Sequence, residues 1–530
     1  MMKKILLSTA ALASLAQVAA AGDAGEKTHP NIILIMCDDM GFSDPGCYGG
    51  EVRTPNIDYL AENGVRFSQF KNTGRSCPSR AALMTGRYQH EAGMGWMTAV
   101  DEHRPGYRGQ ISPDFPTIAE VLKANGYATY LSGKWHLTVD GAFEKPNGSY
   151  PTQRGFDKYY GSLSGGGSYY TPTPVYSDTT RIRTFPDNYY YTTATTDSAT
   201  SFIRSHPDNL PMFMYLAYFA PHRPLEAPKE RVDACRERYK VGYDVLRQQR
   251  FDRQKEMGLV NANDTLPIHQ KEFENGRPAW TSLSPEQQET WINDMATYAA
   301  MIEIMDDGIG EVIATTKEKG IYDNTIFLFM SDNGATSETG LTAQLMADLD
   351  NTPYRSYKRW CFQGGTCAPF IVMYGDPQKN VLKGQFSNEL SHIIDVMPTC
   401  LEMASAEYPK QFNNKKLRPT EGESLLPAIQ NKQLSSRDLF FEHNTSCAII
   451  SDGWKLVRDD ARNPWELIDL TNDPFEENDR AALYPLKVKE LEGKWNKWAE
   501  QHNVFPFEYR PWTERVNYYK SLYPDQSGKN

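Results

Sequence analysis

The sequence predicts an α/β fold, in which helices flank a large, mixed and mostly parallel sheet and a small antiparallel subdomain follows at the C-terminal end. Two observations predict the sheet. Continuous apolar runs, typical of fully buried strands, occur at residues 31–36, 127–132, 212–219 and 325–330. Helical patterns separate these runs, notably at 55–63, 116–125 and 284–319. Since strands and helices alternate, we expect parallel strands covered by helices on both faces.

The third observation concerns the C-terminal part of the chain, where the pattern changes from about Ser436. Short alternating segments lie at 439–443, 447–451, 454–458 and 465–469, and a helical pattern follows at 487–502. We therefore divide the chain into a main α/β domain at 22–435 and an α+β subdomain at 436–530. Residues 231–278, which are charged and rich in Gln and Arg, are interpreted as an insertion at the sheet edge.

Residues 1–21 have the features of a secretory signal peptide. Lys3 and Lys4 precede an apolar stretch at 5–16, and small residues follow at 18–21. We expect a periplasmic or secreted protein whose mature chain begins near Gly22. No later segment is apolar enough to span a bilayer.

The net charge of -11, from 56 Lys and Arg against 67 Asp and Glu, argues against nonspecific binding to nucleic acid or anionic membranes.

The eight cysteines are too few for a disulfide framework in a chain of 530 residues, although export would permit bridges. Cys37 lies in an apolar run and is predicted to be a buried free thiol. Cys361 and Cys367 are close enough in sequence to pair, which the sequence leaves open. No Cys-x-x-Cys pair or histidine cluster indicates zinc.

Polar residues follow the four apolar runs, where each predicted strand ends. Because ligands of such sheets bind beyond the carboxyl ends of the strands, we expect one crevice there. The side chains placed around it are Asp38, Asp39, Lys134, His136, His222, Asp332 and Asn333. Asp38, Asp39, Asp332 and Asn333 offer only oxygen ligands, which suits one hard divalent ion, and calcium is preferred to magnesium.

The segment 76–87 predicts a helix that begins in an anion-binding position. Pro78 suits a first helical turn, and apolar residues continue the helix. Ser76 then lies at the helix N-terminus, where free amide groups and the helix dipole favour an anion. The guanidinium of Arg80 adds a second means of holding an oxyanion.

This segment, Ser-Cys-Pro-Ser-Arg-Ala-Ala-Leu-Met-Thr-Gly-Arg, resembles the signature of the formylglycine-dependent sulfatases of the alkaline phosphatase superfamily. The resemblance runs from about Asn31 to Val504 and implies an alkaline-phosphatase-like sandwich and a sulfuric ester hydrolase. It also implies that Ser76 is oxidised to formylglycine. Pro78 and Arg80 stand two and four residues beyond Ser76, so Ser76 fits the frame and Cys77 does not. A serine in this position resembles sulfatases that an anaerobic radical enzyme matures, which is the expected partner.

Other segments match further motifs of the family. Residues 133–137, Gly-Lys-Trp-His-Leu, resemble the motif in which lysine binds sulfate and histidine bonds the nucleophilic hydroxyl, roles that fall on Lys134 and His136. The resemblance likewise assigns His222 to the leaving-group oxygen and Lys358 to sulfate. It assigns the metal ligands to the same four oxygen-bearing residues. Gln363 and Cys367 depart from the pattern, since many relatives have Glu and Arg there.

The mechanism that the resemblance implies is covalent. Asp332 and the metal activate one hydroxyl of the hydrated aldehyde, and attack on sulfur forms an enzyme-bound sulfate hemiester. His222 or Lys358 protonates the departing alcohol, while Arg80, Lys134 and Lys358 offset charge on the sulfuryl oxygens. Proton removal through His136 then releases sulfate.

The substrate is expected to be a sulfated carbohydrate, attacked at a chain end and carrying a galactose-type sulfate. A loop rich in Gly and Tyr at 161–176, nearby arginines and the insertion would close the cleft into a pocket. Candidate substrate-binding residues are Trp96, Arg181, Arg183, Arg355, His443 and Asn444. Two alternatives stand beside this hypothesis: a phosphomonoesterase or phosphonate hydrolase of the same superfamily, and a non-catalytic protein that binds sulfated glycans. A two-zinc phosphatase would need further His and Asp ligands that the sequence does not supply.

Overall fold

The computed structural model describes residues 29–172 and 174–524, so the predicted signal peptide and Gly22 lie outside the described residues. The strands, in chain order, are β1 (Asn31–Cys37), β2 (Val65–Phe67), β3 (Phe70–Lys71), β4 (Ala128–Gly133), β5 (Lys158–Ser162), β6 (Val175–Ser177), β7 (Thr180–Ile182), β8 (Met212–Ala217), β9 (Thr325–Ser331), β10 (Phe370–Tyr374), β11 (Gln385–Ser387), β12 (Ser391–His392), β13 (Gln411–Phe412), β14 (Lys415–Lys416), β15 (Leu439–His443), β16 (Ser446–Ser451), β17 (Trp454–Arg458) and β18 (Glu466–Asp469).

The helices, in the same order, are α1 (Pro55–Asn63), α2 (Ser76–Thr85), α3 (Ile118–Ala124), α4 (Tyr191–Arg204), α5 (Lys229–Tyr239), α6 (Tyr243–Glu256), α7 (Pro285–Glu318), α8 (Leu341–Asp350), α9 (Gln363–Thr366), α10 (Val396–Met403), α11 (Leu426–Ile429), α12 (Pro485–Gln501) and α13 (Trp512–Leu522). In the described ranges, no helix combines the length and the apolar character needed to cross a membrane.

The large sheet has ten strands within the described residues, in the order β11-β2-β10-β9-β1-β8-β4-β5-β6-β7. Its central strands, β9, β1, β8, β4 and β5, run parallel to one another. β10 is antiparallel to both β9 and β2, and β6 is antiparallel to both β5 and β7. This mixed, mostly parallel sheet flanked by helices confirms the predicted fold class.

Alternate residues of the central strands supply two hydrophobic cores, one on each face of the sheet. Along β1, Ile32 and Leu34 join one core, and Ile33 and Ile35 join the other. Apolar residues of α2, α3, α10 and α12 complete the first core, and those of α1, α4, α5, α6 and α7 complete the second. Fully buried strands of this kind explain why the predictive signal was a continuous apolar run.

Capping residues fix where the flanking helices begin. Ser284 and Gln287 form a capping box at the start of α7, a helix of 34 residues. Thr117 and Glu120 form another at the start of α3. Helix α2 ends at Gly86, whose φ of 63° lets its N–H reach Ala82 O.

The predicted insertion at 231–278 packs onto the main body. Its helix α6 lies over the loop that follows β1, because Arg250 pairs with Asp44 and Glu51, each at 2.8 Å. Arg250 is fully buried. The insertion therefore supports the segment that carries the predicted metal ligands.

The C-terminal sheet has the order β15-β16-β17-β18 and is antiparallel, as predicted. One face, with Cys447 and Ile449, joins the core shared with α12, and the other packs on Cys361 and Phe362.

Cys37 is a buried free thiol, as expected. Cys361 and Cys367 are both free, so the disulfide that the sequence left open is not formed.

Candidate active site

The candidate active site lies at the carboxyl edge of the parallel strands. β1 and β9 are paired so that Cys37 lies opposite Ser331, and the chain continues from them into Asp38 and Asp332. β4 and β8 end at the same edge, with Gly133 opposite Ala217. The polar segments that follow these four strands are thereby brought together, as the sequence predicted.

Ser76 is the first residue of α2, and its hydroxyl points into this edge. Its Oγ donates to Asp332 Oδ2 at 2.6 Å and accepts from Arg80 Nε at 3.0 Å, and Asp38 Oδ2 is 3.4 Å away. Every residue of α2 is buried. The helix N-terminus is thus shielded from water, which strengthens its preference for an anion.

The four predicted metal ligands lie together. Asn333 Nδ2 donates to Asp39 Oδ1 at 2.7 Å, and the N–H of Asp39 faces Asp332 Oδ1 at 3.4 Å. Among the described residues, no donor reaches two buried oxygens, Asp38 Oδ1 and Asn333 Oδ1. Buried polar atoms are nearly always satisfied, so these two oxygens fit a bound cation. Ligand atoms of Asp38, Asp39 and His222 also lie within 4.8 Å of one another.

Two basic side chains from different elements converge on the carboxylates of Asp38 and Asp332. Arg80 Nη2 lies 3.1 Å from Asp38 Oδ2 and 2.9 Å from Asp332 Oδ2. Lys134 Nζ pairs with Asp38 and donates to Gly165 O at 2.6 Å. Both cations are almost completely buried, so they are fixed at the position where an oxyanion would need them.

Lys358 reaches the site from the loop before α9. Its Nζ donates to both carboxylate oxygens of Asp39, at 2.6 and 2.9 Å. Asp39 adopts a left-handed backbone, with φ of 67°, and Tyr298 OH donates to its carbonyl at 3.1 Å. Tyr298 thereby holds the turn that presents Asp39 to its partners.

The acids of the site differ in their affinity for protons. Burial opposes ionisation of Asp38, but the charges of Lys134 and its neighbours hold the pKa of Asp38 well below its usual range. Burial, followed by the charge of Asp38, raises the pKa of Asp332 to about 6. Burial lowers the pKa of Lys134. Asp332 is therefore the carboxyl best suited to exchange a proton with the Ser76 hydroxyl near neutral pH.

His136 lies beside Cys77 and not beside Ser76, which corrects the contact that the resemblance implied. Its Nε2 is 3.1 Å from Cys77 Sγ, whereas Ser76 Oγ is already engaged by Asp332 and Arg80. Burial and a nearby lysine lower the pKa of His136 well below its usual value. Burial raises the pKa of Cys77 to about 12, so this thiol is protonated and is a poor nucleophile.

His222 lies at the mouth of the site. Its side chain is 23% exposed, and Nε2 is 3.7 Å from Asp39 Oδ2. Nδ1 contacts the carbonyl of Arg223, and Tyr169 OH donates to the carbonyl of His222 at 2.8 Å. The ring is therefore held between the buried acids and the solvent.

Three predicted substrate-binding residues, Trp96, His443 and Asn444, line a cavity of about 360 Å³ beside the site. Arg75, which directly precedes the candidate nucleophile Ser76, lines the cavity. Its far wall is the segment 508–512, in which Trp512 packs on Trp96 with ring centroids 4.7 Å apart.

The other three residues that were predicted to bind substrate do not line this cavity. Arg355 is buried and pairs with Glu272 at 2.6 Å and Glu466 at 2.8 Å, so it joins the insertion to the C-terminal sheet. Arg181 and Arg183 lie at β7, at the outer edge of the large sheet, where both face Glu144.

Sequence reasoning missed several residues that line the cavity. Arg75 and Arg359 directly flank Ser76 and Lys358, and this adjacency to recognised motifs was the available signal. Glu338 lies in the loop that follows Asp332 and Asn333. Tyr509 and Trp512 lie beyond the part of the chain that carries the resemblance, and no motif marks them.

Gln363, one of the two departures from the family pattern, lies in a buried network, and Cys367 Sγ lies 3.6 Å from the carbonyl oxygen of Ser68. Lys71 Nζ donates to Gln363 Oε1 at 2.6 Å, and the N–H of Gln363 donates to Glu476 at 2.7 Å. Glu476 also pairs with Lys455 at 2.6 Å. Gln363 thus links Lys71 of the main domain to a carboxylate of the C-terminal subdomain.

The family model described as Sulfatase matches residues 30–406, and the model described as N-sulphoglucosamine sulphohydrolase, C-terminal, matches residues 354–484. An arylsulfatase of Klebsiella aerogenes is 31% identical over 80% of this chain and 97% of its own length. An uncharacterized sulfatase of Schizosaccharomyces pombe is 29% identical over 90% of this chain and 95% of its own. The crystal structure of Ps i-CgsB in complex with k-i-k-neocarrahexaose is 27% identical, with a TM-score of 0.69, and the match covers 95% of this chain and 100% of that one.

Proposed function

Because the chain belongs to the sulfatase family and is a sulfuric ester hydrolase, we propose that it removes sulfate from sulfated carbohydrates with a formylglycine made from Ser76. The setting of the Ser76 hydroxyl carries this proposal. It lies at a shielded helix N-terminus, 2.6 Å from Asp332 and 3.0 Å from Arg80. A carboxylate and a guanidinium on one hydroxyl suit a nucleophile that loses a proton and attacks an anionic ester.

The formylglycine would supply two hydroxyls on one carbon, one to attack sulfur and one to help release sulfate. Asp332 accepts the hydrogen bond of the residue at position 76 and is placed to take its proton. Arg80, Lys134 and Lys358 surround the same point and offset negative charge on the sulfuryl oxygens. His222, at the mouth, is placed to donate a proton to the departing alcohol.

The oxygen cluster would hold one calcium ion through Asp38, Asp39, Asp332 and Asn333. The ion would supply a Lewis acid that polarises a sulfate oxygen and favours the ionised nucleophile. The donors fit a hard divalent cation, and the unpaired Asp38 Oδ1 and Asn333 Oδ1 support its presence. The positive charges of Lys358 and Arg80 would offset the part of the carboxylate charge that one divalent ion does not balance.

Carbohydrate as the substrate class rests on the cavity and on a structural neighbour. Trp96, Tyr509 and Trp512 offer aromatic surface of the kind on which sugar rings pack, and arginines and carboxylates beside them can bond hydroxyls. The neighbour Ps i-CgsB forms a complex with k-i-k-neocarrahexaose. We propose exo action on a galactose-type sulfate, because the cavity is small and closed on one side by residues 508–512.

The proposal includes export through the segment 1–21 and maturation by an anaerobic radical enzyme that oxidises Ser76. Both rest on the sequence: the signal-like segment and a serine in the oxidised position of the signature.

Two measurements test the function together. Mass analysis of the peptide that contains Ser76, from protein made with the radical maturation enzyme, should show formylglycine at position 76. The same protein should release sulfate from a panel of sulfated mono- and oligosaccharides and should discriminate between sulfate positions. Unmodified Ser76 in protein from its native host would favour a non-catalytic binding protein, and faster turnover of phosphate or phosphonate esters would favour the other hydrolases of the superfamily.

A further inference from the structure

The cavity beside the catalytic centre has an uneven charge balance. Three arginines on its wall each pair with a carboxylate on the same wall: Arg75 with Glu338, Arg462 with Asp460, and Arg510 with Glu508. The fourth, Arg359, forms no ion pair with a carboxylate in the described part of the chain. A protein with net charge -11 thus directs one guanidinium without an ion-pair partner into its candidate substrate cavity.

Arg359 is held in place although its side chain is exposed. Its backbone N–H donates to Gly74 O at 2.7 Å. Its Nε and Nη2 donate to the amide oxygen of Asn444, each at 3.1 Å, in the amide orientation that satisfies both side chains. One edge of the guanidinium is therefore fixed by the protein, and Nη1 remains available to a ligand.

The backbone around this guanidinium is strained in a way that favours a binding role. Arg359 has φ of 89°, and Asn444 and Thr445, in the turn between β15 and β16, have φ of 50° and 72°. Left-handed backbone is unfavourable for a β-branched residue such as Thr445, and such strain is concentrated at functional sites. His443, before this turn, is only 2% exposed, and its Nδ1 has no hydrogen-bond partner among the described residues.

We infer that the cavity binds a sugar that carries a second anionic group besides the ester that is cleaved, and that Arg359 holds this second anion. The inference rests on the proposed function and adds to it a substrate class. A planar guanidinium with one free edge matches the oxygens of a sulfate or a carboxylate. Aromatic rings of the cavity, such as Tyr509 and Trp512, then contact the uncharged part of the sugar. Arg359 is thus a specificity residue, and the three paired arginines lie elsewhere on the wall.

The test measures binding, so that it does not depend on turnover. The Ser76→Ala protein is titrated by calorimetry with three probes: a methyl galactoside with one sulfate, the same sugar with two sulfates, and a methyl galacturonoside with one sulfate. A matched series of N-acetylglucosamine sulfates is titrated in parallel. In at least one series, the doubly charged probe should bind about tenfold more tightly than the singly charged one. Comparison of the disulfated sugar with the sulfated uronoside shows whether the site prefers a sulfate or a carboxylate as the second anion.

Adding Arg359→Gln should abolish that preference and leave the affinity for the singly charged sugar within about threefold. Arg359→Lys should retain part of the preference, because it keeps the charge and loses the planar fork. The matched control is Arg204→Gln, an exposed arginine of α4 that pairs with Glu318 and lies outside the cavity; it should change nothing.

Equal binding of singly and doubly charged probes in both series would overturn the inference, as would a preference that survives Arg359→Gln. Failure of the proposed function looks different. In that case the mature wild-type enzyme cleaves aryl sulfates and releases sulfate from none of the sugars, whatever the binding preference.

Discussion

The catalytic centre and the cavity beside it are built from different kinds of structure. The centre takes its side chains from residues that directly follow buried parallel strands, such as Asp38 after β1 and Asp332 after β9. The cavity takes its wall from loops, a hairpin turn at Asn444 and the segment 508–512 near the C-terminal end. The two regions meet at Ser76 and Lys358, whose neighbours Arg75 and Arg359 belong to the cavity.

Because of this difference, the residues proposed to carry out the reaction are distinct from the residues proposed to select the substrate. The side chains of Asp38, Asp332 and Arg80 are completely buried, and every one of them is fixed by a short contact. Arg462 on the cavity wall is 68% exposed, and its partner Asp460 follows β17 in the C-terminal sheet. Loops of this kind can change without disturbing the sheet, so one catalytic centre can serve many substrates.

The largest expected effect is at the catalytic centre, at the nucleophile. Ser76→Ala should abolish sulfate release, by at least on the order of 10³-fold, because no neighbouring group can replace the hydroxyl. Cys77→Ala should retain substantial activity, since Cys77 is a buried thiol whose side chain contacts Met97 and His136 and not the acids of the centre. Initial rates on an aryl sulfate and on a sugar sulfate measure both. Inactive Cys77→Ala with active Ser76→Ala would reverse the assignment.

A second large effect is expected when the metal site is weakened. Asp39→Ala removes one of the predicted ligands and the partner of Lys358, and should lower activity about 100-fold or more together with metal content. Treatment of the wild type with a chelator should do the same, and calcium should restore activity better than magnesium. Elemental analysis with activity assays provides the measurement. Full activity in metal-free protein would remove the metal from the mechanism.

The sequence predicted which polar side chains meet at the edge of the sheet, because this information is local. Each apolar run marks a strand, and the residues that follow it must lie at the sheet edge, so the strand pattern alone was enough to place Asp38, Lys134 and Asp332 together. The assignment of Ser76 rests on its register with Pro78 and Arg80 in the family signature and stays a prediction. The contact of His136 with Cys77 was not predictable, because it depends on how α2 is rotated against the sheet.

The residues that line the cavity were predicted only in part, because they come from segments that lie far apart in the sequence. Trp96, His443 and Asn444 were included, but Arg181, Arg183 and Arg355, which were proposed because their segments could line the substrate cleft, form ion pairs elsewhere. Helix α13 and Trp512 were missed, since they follow the recognisable part of the chain. The short strands β2 and β11 also escaped prediction, because three residues carry too little periodicity.

An intermediate effect should distinguish the cavity from the centre. Trp512→Ala removes a ring that packs on Trp96 and lines the cavity. The variant should lose about fivefold in kcat/KM on sugar sulfates, chiefly through KM, because aromatic contacts of this kind contribute about 1 kcal/mol. Aryl sulfate turnover should stay within about twofold. The matched control is Trp454→Ala, a partly buried residue of β17 that lies outside the cavity. An equal loss on both substrate classes would show that the two regions are not separable.

The smallest expected effect concerns an ion pair at the end of α12. His502, which ends α12 shortly before residues 508–512, lies 2.5 Å from Glu421. Burial alone would lower the pKa of His502, but the hydrogen bond and charge of Glu421 outweigh it, so the pKa is raised. Burial likewise opposes ionisation of Glu421, yet His502 lowers the pKa of Glu421. The glutamate therefore contributes stability above its ordinary pKa of about 4.3, and the histidine below its ordinary pKa of about 6.5.

The pair should thus stabilise the fold most between about pH 5 and 6, and its contribution should fall as the pH rises through the raised pKa of His502 or drops through the lowered pKa of Glu421. Melting temperatures of the wild type and His502→Gln, measured across pH 4 to 9, should differ by about 1–2 °C near pH 5.5 and by less at pH 9. Activity on aryl sulfates should not change in the variant, because His502 lies neither in the catalytic centre nor among the residues that line the cavity. A difference in melting temperature that is constant with pH would show that the histidine acts by packing against Tyr88 and Trp498 and not through its charge.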